Sequence, residues 1–199
     1  RDIAIMSREL LKHEKITEYS SIWMDTIRNG EFGLTNTNRL IRFYQGATGL
    51  KTGSTSKAKF CISATAQREG LHLIAVIMGS ETRDTRNEAA KALLDWGFAN
   101  FALYRNAGAD AGRIKVLGGV AEDCGVMYED YSRLMKKGSE KNVTYTVELP
   151  DMMAAPIAAG DVIGKIVYRC GDTVLDECDV IATESVDKIS FWGLLARML

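Results

Sequence analysis

The sequence predicts an α+β chain in two parts: an antiparallel sheet packed with helices, then a small all-β sandwich carrying a C-terminal amphipathic helix. Three observations carry that prediction. Two apolar runs, Lys59–Gln67 and Leu71–Met78, are separated only by Arg68-Glu69-Gly70, the mark of a hairpin with a helix signal just behind it. From residue 113 onward the chain is a succession of short alternating segments. The charge also changes sign: residues 1–105 hold 15 Lys and Arg against 11 Asp and Glu, whereas residues 106–199 hold 10 against 15.

Composition sets the outer bounds. At 199 residues, 46% apolar and 26% charged, the chain is long enough for a real core and is not a disordered sequence. A net charge of −1 without a basic cluster gives no reason to expect a nucleic-acid partner. No apolar run approaches the roughly 18–20 residues that span a bilayer. The sequence opens on Arg1 without a signal peptide, so the expectation is a piece of a longer protein.

The elements follow in order. Ile3, Met6 and Leu10 fall at helical spacing and predict a helix over residues 2–14, followed by a loop-rich stretch to Asn38 with a turn at Asn29-Gly30. Leu71–Met78 is nearly all apolar, which predicts a strand buried on both faces. Thr85-Arg-Asn-Glu88 reads as a capping box opening a helix to about Phe101, with Ala89, Leu93 and Trp96 along its buried face. Gly97 sits inside that helix at a cost of about 1 kcal/mol relative to Ala.

Asn106-Ala-Gly-Ala-Asp-Ala-Gly112 reads as a linker at the charge crossing. Strands are expected at residues 113–120, 125–131, 142–149, 161–169 and 173–181. The domain boundaries are thus 1–105, 106–184 and 185–199. The four Cys show no C-x-x-C spacing, and a tight turn at Gly171-Asp172 would set Cys170 opposite Thr173 instead of Cys178, so free thiols are expected. In the tail, Ile189, Phe191, Trp192, Leu194, Leu195, Met198 and Leu199 cover most of a helical wheel, leaving Ser190, Gly193 and Arg197 as a narrow strip. Such a helix can lie in a membrane interface on Phe191, Trp192 and Leu195, or dock on the β-module or on another subunit.

The residues that carry chemistry are Gly49-Leu50-Lys51-Thr52-Gly53, just ahead of a strand. Lys-Thr-Gly is one signature of the penicillin-binding proteins and serine β-lactamases. A sheet edge can hold a peptide by main-chain pairing, and Gly53 leaves room for the substrate backbone to approach. Thr52 can donate to a carboxylate, and Lys51 supplies a positive charge near the reacting groups. A tripeptide alone is weak, and its setting is not. Asn36-Thr-Asn-Arg39, Gly49-Leu-Lys-Thr-Gly53, Thr55-Ser-Lys-Ala58, Val76-Ile-Met-Gly79, Arg86-Asn-Glu-Ala89 and Leu94-Asp-Trp-Gly-Phe98 occur in an order and spacing that resemble the low-molecular-mass penicillin-binding proteins, the serine D-alanyl-D-alanine carboxypeptidases.

That resemblance implies the C-terminal part of a β-lactamase-like transpeptidase domain, followed by the family's β-domain and membrane anchor. It implies an acyl-serine mechanism acting on the D-Ala-D-Ala end of peptidoglycan stem peptides, without metal or nucleotide cofactors, and inhibited by β-lactams. The implied location is peripheral, on the outer face of the bacterial cytoplasmic membrane. Lys51 would be catalytic, and Lys51, Thr52, Gly53, Arg39 and Arg86 would line the substrate site. For Arg39 and Arg86 the alternative is a structural salt bridge. The family's nucleophile Ser-x-x-Lys lies upstream of this region. Ser54-Thr-Ser-Lys57 fits that pattern but directly follows Lys-Thr-Gly on the strand, whereas a nucleophile belongs at a helix start packed against it. Ser54 stands where many members carry an aromatic or His, so that subsite differs. His13 and His72 lack partner serines and acids for a Ser-His-Asp site. Two other readings remain: a membrane-anchored, non-catalytic cell-wall scaffold, and a β-lactamase-like hydrolase with another substrate.

Overall fold

The computed structural model describes residues 1–198, with side-chain surroundings through Ala196; Arg197, Met198 and Leu199 of the tail wheel lie outside the described side chains. The backbone divides into two compact units, Arg1–Ala102 and Leu103–Leu199.

In the first unit, α1 (Asp2–Leu10) is shorter than the expected helix. The stretch read as loop holds α2 (Glu14–Ser20) and a hairpin of β1 (Met24–Ile27) and β2 (Phe32–Thr35). Neither carried a readable pattern, because α2 buries no residue and both strands are exposed throughout. The Asn29-Gly30 turn lies between β1 and β2, with both residues at positive φ. After α3 (Leu40–Phe43), an antiparallel sheet forms in the order β3 (Ala47–Thr55), β4 (Lys59–Arg68), β5 (Leu71–Ser80). Glu69 and Gly70 close the β4–β5 hairpin at positive φ, and α4 (Arg83–Asn100) packs on the sheet.

The strand buried on both faces is β4, not β5. Ile62, Ala64 and Ala66 are buried on one side of β4, and Ser63 and Thr65 on the other. Small and hydroxylic residues fill this central position, so hydropathy did not single it out. Ser63 Oγ bonds Ser7 Oγ of α1 at 2.7 Å, and Thr65 Oγ1 bonds Thr48 Oγ1 at 2.8 Å. By contrast β5 lies at one end of this sheet, and only Leu71 and Ala75 of it are fully buried.

The helix α4 begins three residues earlier than expected. Thr82 is the N-cap: its Oγ1 accepts from the Thr85 N–H at 3.1 Å, while Thr85 Oγ1 accepts from the Thr82 N–H at 3.2 Å. Glu88, assigned to that box, instead pairs with Lys91. The buried face is also turned by one residue. Ala90, Leu94, Gly97 and Phe98 face the sheet, whereas Leu93 is 50% and Trp96 59% exposed. Gly97 explains the choice: a Cβ there would stand 2.5 Å from Leu73 Cδ1, so the small residue permits the close helix–sheet approach. The Arg68 guanidinium lies over the Tyr44 and Phe98 rings at 4.6 and 4.5 Å. Burial, together with the bond from its hydroxyl to Asp95, pushes the Tyr44 phenol up to about 12.

The second unit is the expected β-sandwich. Its six-stranded sheet runs β10 (Val143–Glu148), β12 (Val162–Cys170), β13 (Thr173–Ala182), β8 (Asp123–Tyr128), β7 (Ala109–Leu117), β11 (Met152–Ala154), and β6 (Phe101–Asn106) pairs with β9 (Tyr131–Lys136). Tyr131 stacks on Tyr168 at 4.0 Å and Tyr104 meets it edge-on at 6.1 Å, so the two layers share one aromatic core. The presumed linker is mostly strand: β6 ends at Asn106 and β7 begins at Ala109. Alternation in 109–112 was hidden by Ala and Gly. All four Cys are free thiols, and Cys170 pairs in register with Thr173. Residues 186–190 are not helical. Val186 bridges Ile157 and Lys188 bridges Gly119, which leaves the helix α5 as Phe191–Met198.

Two predictions follow from these contacts. Leu94→Ala should cost the first unit about 2–5 kcal/mol in urea unfolding, because Leu94 is 1% exposed, while Leu93→Ala should stay within about 0.5 kcal/mol. An equal effect from the two would refute the assigned face. His72, bonded to Thr48 Oγ1 at 2.9 Å, is held below its ordinary 6.5 by burial, and Arg1 and Arg8 line the same cavity. A depressed histidine stabilises above its unfolded value and loses that contribution as pH falls through the folded one. The urea midpoint of wild type should therefore drop more steeply than that of His72→Gln from about pH 7 to about pH 5.

Candidate active site

The strand β3 lies at one end of its sheet, pairing with β4. Lys51 stands opposite Ser63, Thr52 opposite Ile62 and Gly53 opposite Cys61. Because side chains alternate, Lys51 and Thr52 leave the strand on opposite faces. Lys51 borders an apolar groove of about 600 Å³ walled by Ile3, Met6 and Leu10 of α1, Tyr19 of α2, and Leu50. Its Nζ donates to the carbonyl of Thr52. Nothing lies within 4 Å of where a Gly53 Cβ would be, so the strand edge there is open to an approaching backbone.

On the other face, the segment Asn36-Thr37-Asn38-Arg39 is keyed to β3. Asn38 is buried; its Nδ2 donates to the Gly49 carbonyl at 2.8 Å and its Oδ1 accepts from the Leu40 N–H at 3.1 Å. Asn36 Nδ2 donates to the Ile22 carbonyl at 2.9 Å, and its Oδ1 accepts from the Asn38 N–H at 2.9 Å. This clamp holds Thr37 Oγ1 at 2.7 Å from Thr52 Oγ1. Thr37 was not singled out in the sequence, where it is one unremarked residue between two asparagines.

Thr37, Arg39, Arg83 and Arg86 line one cavity of about 450 Å³ together with Asn36 and Trp23. Arg86 is 3% exposed, and its Nε and Nη2 donate to Asn87 Oδ1 at 3.2 and 2.9 Å. Burial, with a smaller push from Arg83, lowers its pKa from the ordinary guanidinium value, yet a guanidinium stays charged at physiological pH. No carboxylate lies within ion-pair distance of it among the described residues. A buried cation beside a cavity with only a neutral partner is suited to an incoming anion. Arg39 does meet the structural alternative, pairing with Asp84 at 3.5 Å, but both side chains are exposed and such a pair is weak.

The structure thus groups Thr52, through Thr37, with Arg39 and Arg86, and sets Lys51 on the other side of the same strand. Ser54 lies within β3, one residue before its end at Thr55, and Ser56 and Lys57 sit in the exposed turn before β4. The overlapping Ser56-Lys-Ala-Lys59 also fits Ser-x-x-Lys and occupies the same turn, its Lys59 engaged by Glu81. Neither is at a helix start. Among the described residues no cluster of three or more His, Cys, Asp or Glu could hold a metal ion.

An antiparallel sheet under a packed helix, with Lys-Thr-Gly on its end strand and a β-sandwich following in the sequence, defines a penicillin-binding class of chain. Comparison with known proteins gives the family: residues 1–82 match the D-alanyl-D-alanine carboxypeptidase family and residues 107–188 match the C-terminal domain of penicillin-binding protein 5. The chain belongs to the low-molecular-mass penicillin-binding proteins. It is 36% identical to the D-alanyl-D-alanine carboxypeptidase DacF of Bacillus subtilis, covering all of this chain and 53% of that protein. It is 27% identical to DacC of Escherichia coli, over 97% of this chain and 49% of that one. Penicillin-binding protein 5 from Haemophilus influenzae superposes with a TM-score of 0.71 at 27% identity, over 94% of this chain and 56% of the other. The chain spans about half the length of the curated relatives it matches.

The clamp makes a testable demand. Asn38→Ala should cost about 1–3 kcal/mol in urea unfolding, because it leaves the buried Gly49 carbonyl without its donor. An unchanged midpoint would show that the Asn36–Arg39 segment is held by something else.

Proposed function

We propose that this chain is part of a serine-type D-alanyl-D-alanine carboxypeptidase that removes the terminal D-Ala from peptidoglycan pentapeptides. The observation that carries the reading is the convergence of Thr52, on an open strand edge, with Arg86, buried and without a carboxylate at ion-pair distance, across the Thr37 segment. In this reading the stem peptide lies along β3 as an added strand. The Thr52 hydroxyl and the Arg86 guanidinium take its terminal carboxylate, and Arg39 adds positive charge at the mouth.

A serine outside these 199 residues attacks the penultimate carbonyl, the C–N bond breaks, and D-Ala departs with a proton. Water then hydrolyses the acyl-serine. Lys51 fits the side of the strand where that serine would have to reach, because the apolar groove beside it is large and open. β-Lactams would acylate the same serine by mimicking the peptide. The extracytoplasmic membrane surface is the proposed location, with α5 as anchor. Phe191 and Trp192 are 73% and 75% exposed, and Leu195 is exposed beside them. No helix among the described residues is long and apolar enough to cross a membrane, so an anchor of this kind lies in the interface.

The 199-residue chain alone should take no covalent label from a fluorescent penicillin, whereas the full-length parent should be labelled stoichiometrically. Labelling of the short chain would place a nucleophile within it, and Ser54→Ala and Ser56→Ala would then locate it. A full-length parent that neither labels nor releases D-Ala would favour the scaffold reading.

A further inference from the structure

The Thr37–Thr52 contact has no role in the reaction as written above. A threonine hydroxyl carries one proton and two lone pairs. If Thr52 gives its proton to the substrate carboxylate, its own oxygen still needs a donor, and Thr37 Oγ1 is within hydrogen-bond reach at 2.7 Å. We propose that Thr37 is a positioning residue that donates to Thr52, so that the Thr52 proton is directed at the substrate carboxylate. The inference rests on the carboxypeptidase reading of this site.

Three features of the structure support it. The segment bearing Thr37 is clamped at both neighbours, with Asn38 bonded to the Gly49 carbonyl and Asn36 to the Ile22 carbonyl, so the hydroxyl is delivered to Thr52 by design of the loop and not by a free rotor alone. Thr37 also lines the cavity that Arg86 lines, so the residue bonded to Thr52 borders the same space as the buried guanidinium. Finally, the direction of the bond is set by the ligand. With the site empty either hydroxyl can donate, but an anion accepts from Thr52 more strongly than a neutral oxygen does. Binding therefore orients both protons along one line, Thr37 to Thr52 to carboxylate, and each bond polarises the next. Thr37 gains nothing from the substrate directly and acts through Thr52.

The test uses the full-length parent as wild type, Thr37→Val and Thr37→Ser, with two peptides: one ending in D-Ala-D-Ala and the same peptide as its C-terminal amide. Valine keeps the shape and removes the hydroxyl, while serine keeps the hydroxyl. The expected result is that Thr37→Val raises KM for the carboxylate peptide about tenfold with kcat changed less, leaves the amide peptide within about twofold, and leaves Tm unchanged. Thr37→Ser should return the carboxylate KM to within about threefold of wild type. The inference is overturned if Thr37→Val stays within about twofold on the carboxylate peptide, or loses equally on both peptides, or is not rescued by serine. A wild-type protein that releases neither D-Ala from the carboxylate peptide nor D-alaninamide from the amide peptide overturns the carboxypeptidase reading itself, and this inference with it.

Discussion

A single buried amide holds the site together. The Asn38 side-chain amide makes two bonds, to the Gly49 carbonyl on β3 and from the Leu40 N–H at the start of α3, and they join an irregular segment to a strand and to a helix at once. That tie is the buried one of the two that join the Asn36–Arg39 segment to β3, the other being the exposed Thr37–Thr52 bond. Buried amides of this kind are costly to leave unpaired, so the geometry they specify is specified strongly. The placement of Thr37 beside Thr52, and of Arg39 at the cavity mouth, both derive from it.

The strand so fixed divides its chemistry by face. Alternation sends Lys51 toward the apolar groove and Thr52 toward the arginine-lined cavity, and Gly53 then leaves the edge between them unobstructed. A peptide added along that edge would have an ammonium on one side and hydroxyl and guanidinium groups on the other. That is a separation acyl transfer can use, since the group that reacts and the group that anchors lie at different points along the substrate. In the carboxypeptidase reading Arg86 would be the stronger anchor, being buried with no carboxylate at ion-pair distance, whereas Arg39 pairs with Asp84 at the surface.

What the sequence made legible follows from which residues carry local signals. The hairpin at Glu69-Gly70 and the turn at Gly171-Asp172 were readable because positive φ demands particular residues there, and the latter also excluded a Cys170–Cys178 pairing. The face of α4 was misread because Leu93 and Trp96 are as apolar as Leu94 and Phe98; the deciding residue is Gly97, whose lack of a side chain appears as a defect until Leu73 is seen against it. β4 was undervalued because Ser63 and Thr65 read as polar, though each is satisfied by another hydroxyl, Ser7 of α1 for the one and Thr48 of β3 for the other. Lys51, Thr52 and Arg86 stood out through a motif and its setting. Thr37 could not, because its meaning lies wholly in a contact fifteen residues away in sequence.

The groove beside Lys51 bears on what this unit can do by itself. Its walls are apolar side chains of α1 and α2, several of them exposed, and its Lys51 ammonium turns back to a carbonyl of its own strand. In an open groove that charge is screened by water, and at 4 Å it is worth only about 1 kcal/mol to a neighbouring charge. With the groove filled and water displaced, the same ammonium acts through a medium of far lower polarity and is worth several times more. In the carboxypeptidase reading Lys51 would gain most when something packs against Ile3, Met6 and Leu10, and the same packing would relieve the exposure of that apolar surface. Stability and chemistry at this face make one demand, and the exposed Ser54 and Ser56, which do not line this groove, do not meet it.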